Sequence, residues 1–174
     1  AKRASAIVAT PATMAIPATA QSASPQAMGP VGLLLPVQGV PAEQLVDTYA
    51  DARGEGRVHD AIDIMAPRGT PVLAASDGSV AKLFASKAGG LTIYEFDPGS
   101  TWVYYYAHLD RYADGLAEGQ SLHRGEVIGY VGSSGNASPD APHLHFEVSR
   151  LGPEKHWWQA SPVNPYPLLG GKPH

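Results

Sequence analysis

From residue 71 onward, hydrophobic and polar positions fall into short runs broken by Gly and Pro. Residues 71–76, 79–86, 91–96, 101–109, 125–131 and 143–149 each carry the Val, Ile, Thr, Tyr and Phe content of a β-strand. Asp77-Gly78, between the first two runs, predicts a tight two-residue hairpin. Lys87-Ala88-Gly89-Gly90 and Asp97-Pro98-Gly99-Ser100 predict two further turns. Upstream, residues 31–37 form an apolar entry segment, and residues 42–52 read as a short helix or a charged surface loop. The Pro-rich tail over 162–169 suits an extended edge, because Pro is tolerated there and not in a central strand. No heptad pattern or long amphipathic helix is present, so the pattern predicts an all-β antiparallel sheet or sandwich with few short helices.

The first thirty residues differ in texture. They are an Ala/Pro/Ser/Thr tract in which Pro11, Pro17, Pro25 and Pro30 interrupt any helix, so no membrane span is expected. A flexible linker or an export-related tail is expected; Lys2-Arg3, an apolar stretch and Ala18-Thr19-Ala20 resemble a secretory signal with its cleavage site. The organisation read from the chain is a linker or tail over 1–30, one folded domain over 31–169 and a C-terminal tail over 170–174.

Composition narrows the partners. The 174 residues carry 12 basic and 16 acidic side chains, a formal net charge of −4. That balance argues against a nucleic-acid or anionic-lipid surface, either of which favours a dense basic patch. Cysteine is absent, which excludes disulfides and thiolate sites and leaves only nitrogen and oxygen ligands for any metal.

Those ligands are available. His143 and His145 are two apart on a predicted strand, so both project from one face, and Glu147 shares their parity. His59 and Asp63 are four apart and also same-face in an extended segment, with Asp60 and Ile62 pointing away. Spacing alone leaves open which imidazole of the His143/His145 pair binds a metal. His108 lies in a Tyr-Ala-His-Leu strand end; before it Tyr104-Tyr105-Tyr106 alternates faces, so core and groove-wall roles are both available, and Tyr104 and Tyr106 share the parity of His108. Trp157-Trp158, beside His156, reads as a core edge or a small exposed patch sooner than as a carbohydrate-stacking platform.

Over residues 57–148 these pieces are arranged in the order found in a known family. They run His59-Asp60-Ala61-Ile62-Asp63-Ile64, then Ala66-Pro67-Arg68-Gly69-Thr70-Pro71-Val72 and Asp77-Gly78. Tyr106-Ala107-His108-Leu109, Gly125-Glu126-Val127-Ile128-Gly129, Gly132-Ser133-Ser134-Gly135 and Pro142-His143-Leu144-His145-Phe146-Glu147 follow. The chain resembles the lysostaphin-type zinc endopeptidases, which cleave stem peptides or cross-links of bacterial peptidoglycan. It departs at Ala61, where the family usually has Gly.

The resemblance implies a barrel-sandwich hybrid with an active-site groove over the sheet, in a cell-envelope protein, periplasmic or secreted. It makes His59, Asp63 and His145 the ligands of one zinc ion, with His108 and His143 beside the metal. Two nitrogens and one carboxylate oxygen leave a tetrahedral position open, as in catalytic rather than structural zinc sites. His143 is then assigned as the base, and His108 as the group that bonds the oxyanion or steers the water. Glu147 is expected as support for a ligand imidazole, and Tyr106 as a substrate contact. The expected partner is a peptidoglycan peptide. The competing reading is a non-catalytic member of the family that activates other cell-wall hydrolases, a state marked by lost ligands. A lipoyl- or biotinyl-type carrier is a third reading by fold analogy, but it needs a Lys where this chain has Asp77-Gly78.

Overall fold

The computed structural model describes residues 29–172; the expectations for the N-terminal tract therefore fall almost wholly outside it. Nine strands follow in order: β1 (Ile62–Met65), β2 (Pro71–Leu73), β3 (Gly78–Ser86), β4 (Gly90–Phe96) and β5 (Trp102–Tyr112), then β6 (Ser121–Leu122), β7 (Val127–Val131), β8 (His143–Leu151) and β9 (Ala160–Val163). All pair antiparallel in one sheet that does not close, with the main order β1-β8-β5-β4-β3-β6. β5 and β8 are long enough to serve two neighbours along one edge. β5 pairs β8 through Ala107 and β7 beyond it, while β8 pairs β1 at its start and β9 at its end. Among the described residues no helix is long and apolar enough to cross a membrane.

Alternation along β8 decides which side carries chemistry. Leu144, Phe146 and Val148 are fully buried and pack with Ile62, Ile64 and Tyr106 in the core. The intervening His143, His145 and Glu147 are only half-buried and face the other side.

Of the two readings of segment 42–52 the surface loop holds, opened by a 3-10 turn, Ala42–Gln44. Two other expectations for the elements are corrected. Asp77-Gly78 does not close a hairpin, because β2 pairs β7 whereas β3 pairs β4 and β6. Gly78 is required there for close approach: a Cβ would lie 2.0 Å from the Phe96 carbonyl oxygen. Finally, the 162–169 tail is extended only as far as β9 and then makes one helical turn, α1 (Pro165–Leu168). Its Asn164 side chain accepts from the Tyr166 N–H, capping an end that Pro165 is suited to start. The predicted turns after β3 and β4 do form hairpins; in the second, Asp97 Oδ1 accepts from the Thr101 and Trp102 N–H groups.

One acidic group lies inside the core. Glu95 is fully buried; its Oε1 accepts from the Tyr106 hydroxyl at 2.6 Å, and that hydroxyl accepts from the Ala75 N–H. Its Oε2 has no partner. Burial, which outweighs the Tyr106 bond, raises this carboxyl from 4.5 to about 8. Across that window the folded chain keeps a proton that the unfolded chain has lost, so stability falls as pH rises from 4.5 towards 8. The full cost is about 3–5 kcal/mol. Glu95→Gln is expected to unfold at higher denaturant than the parent at pH 8, with the gain disappearing near pH 4; an equal difference at both pH values would contradict it.

Candidate metal centre and groove

The site is assembled from two strand ends and two loops. Asp63 on β1 and His145 on β8 are direct cross-strand partners, which brings their side chains together on the groove face. His59 precedes β1, and it does not reach Asp63 by simple strand alternation. Asp60 adopts a left-handed conformation (φ 55°), turning the chain between them. The turn is held by two backbone bonds, His59 N–H to the Asp51 carbonyl and Asp60 N–H to the Tyr49 carbonyl, each 2.9 Å. Ala61 is fully buried beneath it.

The hydrogen bonds around these residues assign their tautomers. His59 Nδ1 lies 3.0 Å from the Thr48 carbonyl oxygen, which can only accept, so Nδ1 carries the hydrogen. His145 Nε2 donates to Glu147 Oε1 at 2.8 Å in the same way. The nitrogens left over, His59 Nε2 and His145 Nδ1, are lone-pair atoms in the neutral rings, and they face each other at 3.0 Å. Asp63 Oδ1 joins them, 3.0 Å from His59 Nε2 and 3.4 Å from His145 Nδ1. That oxygen is buried without a hydrogen-bond partner. Three acceptor atoms converging on one point is an arrangement that favours a cation between them. His59, Asp63 and His145 are therefore a group that could hold a metal ion.

Without a metal, charge is balanced by protons. Burial opposes a positive His145, but the Asp63 and Glu147 carboxylates beside it outweigh that and raise it to about 9. Burial would likewise raise Asp63, yet the His145 and His59 rings close to its Oδ1 hold it far below the usual carboxylate range. Asp63 Oδ2 also accepts from Arg53 at 2.9 Å, which leaves Oδ1 as the atom turned inward.

His108 and His143 stand beside this group. Their ring centroids are 5.0 Å apart, and His108 is 5.6 Å from His145. Each spends its Nδ1–H on a backbone carbonyl: His108 on Ser134 at 2.7 Å and His143 on Ala141 at 2.9 Å. Nε2 is thus the free atom of both rings, and that of His143 lies 3.5 Å from Asp63 Oδ1. Burial lowers the His108 pKa and favours its neutral form.

A β-bulge delivers His108. Ile93 pairs Tyr106 and Leu91 pairs Leu109, so one residue of β4 opposes two of β5. His108 is the left-handed residue of that bulge (φ 62°), and its N–H bonds the Gly89 carbonyl at 2.8 Å. The reversal breaks the parity that linked His108 to Tyr104 and Tyr106. Tyr106 is consequently fully buried on Glu95 and Ala75, away from the groove, and Tyr105 lines it instead. The Gly132-Ser133-Ser134-Gly135 loop backs the bulge. Ser134 Oγ donates to the Leu109 carbonyl and accepts from the Leu91 N–H. Gly135 (φ 74°) passes so near Ala88 and Gly90 that a Cβ would meet their backbone at 2.4 Å.

These residues line an open groove of about 550 Å³, walled by Arg53 and Arg57 on one side and by Asn136, Ala137 and Ser138 among others. Thr48, Arg53 and Ser134 were not among the residues expected from sequence. Thr48 supports two members at once, its carbonyl on His59 and its Oγ1 accepting from the Asp63 N–H. Only the bulge and the loop turns bring them to the site, and neither has a signature in spacing.

The chain is 37% identical over 129 residues to an L-Ala--D-Glu endopeptidase of Bacillus subtilis, covering 70% of this chain and 38% of that protein. Its structure resembles a putative glycyl-glycine endopeptidase from Ruminococcus gnavus (TM-score 0.66, 29% identity, covering 83% of this chain and 61% of that one). It also resembles the catalytic domain of lysostaphin from Staphylococcus simulans (TM-score 0.58, 29% identity, covering 69% and 85%). The model of peptidase family M23 matches residues 57–165, and on that match the chain belongs to this family.

Proposed function

We propose that the chain is a zinc-dependent endopeptidase that hydrolyses peptide bonds in bacterial peptidoglycan, in stem peptides or cross-links. The observation that carries this reading is the convergence of His59 Nε2, Asp63 Oδ1 and His145 Nδ1 on one point, the oxygen among them buried without a hydrogen-bond partner. Two imidazoles and one carboxylate suit zinc and leave a coordination position free. When bound, zinc supplies a Lewis acid that brings the pKa of water towards about 7 and polarises the scissile carbonyl.

The remaining work falls to this chain's side chains. His143 Nε2, 3.5 Å from Asp63 Oδ1, takes the proton of the attacking water. The same proton then serves the leaving amine. His108, neutral and presenting a lone pair, accepts a hydrogen bond from the water and aims it at the carbonyl; donating to an oxyanion would first require a proton on Nε2. Glu147 fixes the His145 ring, and Arg53 fixes the second oxygen of Asp63.

The non-catalytic activator reading is disfavoured because all three metal-binding positions are filled by competent ligands. Action in the cell envelope, periplasmic or secreted, follows from the substrate. The test is digestion of purified muropeptides, with mass spectrometry of the products before and after chelation. New peptide fragments that vanish with chelator are expected. Zinc-free protein that leaves muropeptides intact would support the activator instead.

A further inference from the structure

A ladder of aromatic rings runs from the metal-binding group along the outer face of the sheet. The Tyr105 ring is 5.8 Å from that of His145, Tyr94 is 4.7 Å from Tyr105, and Trp157 is 4.6 Å from Tyr94. Trp157 then meets Trp158 edge-on at 5.2 Å. Trp158 is 61% exposed, an unusual placement for so large an apolar side chain. It is nevertheless held in place: His156 stacks on it at 4.3 Å, and Glu154 accepts from His156 Nε2 at 3.0 Å. Beside the ladder is a recess of about 130 Å³ that continues the groove, since Tyr105 and Glu147 line both.

We propose that this ladder and recess are a carbohydrate subsite that seats an N-acetylhexosamine ring of the glycan strand while its attached peptide lies at the metal-binding group. The proposal rests on the peptidoglycan reading given above. Two features favour a sugar over a peptide. The recess combines flat aromatic faces with the Ser149 hydroxyl and the Glu147 carboxylate, which match the C–H face and the hydroxyl groups of a pyranose. Burial holds the Tyr94 phenol up at about 12, so it too remains an uncharged hydroxyl. Moreover, among the described residues no cationic side chain lines the recess, and Glu147 would repel the carboxylates of a stem peptide. The cations lie on the wall of the main groove, at Arg53 and Arg57. The length also fits: ring steps of 5.8, 4.7 and 4.6 Å correspond to at most about four extended residues, the scale of a short peptide hanging from a glycan.

Titration of the whole chain with an N-acetylglucosamine tetramer, followed by indole fluorescence, tests this without relying on catalysis. The parent is expected to give a saturable shift, and Trp158→Ala to weaken binding about tenfold, the scale of one aromatic contact. No saturable shift, or equal binding by the variant, would overturn the proposal. So would Trp158-dependent binding of a sugar-free stem tripeptide in place of the tetramer, which would make the recess a peptide subsite. In a paired assay, the parent should cleave sugar-bearing muropeptides about tenfold more efficiently than the same peptides stripped of sugar. Trp158→Ala should abolish that preference while keeping the rate on free peptide; a preference retained in the variant counts against the subsite. Failure of the parent to cleave either substrate would refute the peptidase reading, and the tetramer titration would then decide the subsite alone.

Discussion

His145→Ala is expected to fold normally and to lose both zinc and peptidase activity. Leu144 and Phe146 carry the core packing of this part of β8, and His145 projects from its opposite face, so removing the imidazole leaves the apolar core intact. The loss to metal binding is far larger. His145 Nδ1 is one of three converging donors, and His59 with Asp63 alone makes an incomplete set. Removing a supporting hydrogen bond typically weakens metal binding about 10–100-fold, and removal of a donor should exceed that. Peptide hydrolysis should fall with it, by more than about a hundredfold. Metal content, circular dichroism and muropeptide turnover together decide the matter. A folded variant that still carries one zinc per chain would exclude His145 as a ligand.

The second large effect separates metal binding from catalysis. His108→Ala is expected to retain zinc and lose about 10²–10³-fold in turnover, the scale of one oriented catalytic hydrogen bond. His108 is held by Ser134 and by its own N–H bond to Gly89, and its free Nε2 faces the groove beside His143 and His145. None of its atoms belongs to the metal-binding group. Near-normal turnover would remove His108 from the mechanism, and loss of zinc would give it a different role.

The contrast between His145 and His108 also shows what was legible in the chain. The face shared by His143, His145 and Glu147 could be read from alternation, because β8 is a regular strand whose other face buries Leu144, Phe146 and Val148. His59 and Asp63 do meet, although through the left-handed turn at Asp60 and not through the extended geometry that their spacing suggested. In β5 alternation fails, because the bulge at Ala107 and His108 shifts parity within one strand and exchanges Tyr106 for Tyr105 at the groove. Asp77-Gly78 misled for a related reason: the dipeptide carries a turn signal, but Gly78 serves a close approach to Phe96. Thr48 and Ser134 hold the His59 and His108 rings through backbone carbonyls, which any residue type possesses, so residue identity held no trace of those two contacts; their hydroxyls bond nearby backbone instead.

The central claim is that His59, Asp63 and His145 together hold one zinc ion. Diffraction from crystals of the zinc-loaded chain, recorded on both sides of the zinc absorption edge, tests it most directly. A single strong anomalous peak is expected between His59 Nε2, Asp63 Oδ1 and His145 Nδ1, with His108 and His143 outside the coordination sphere. A peak bound instead by His143, or no peak among these three atoms, would contradict it.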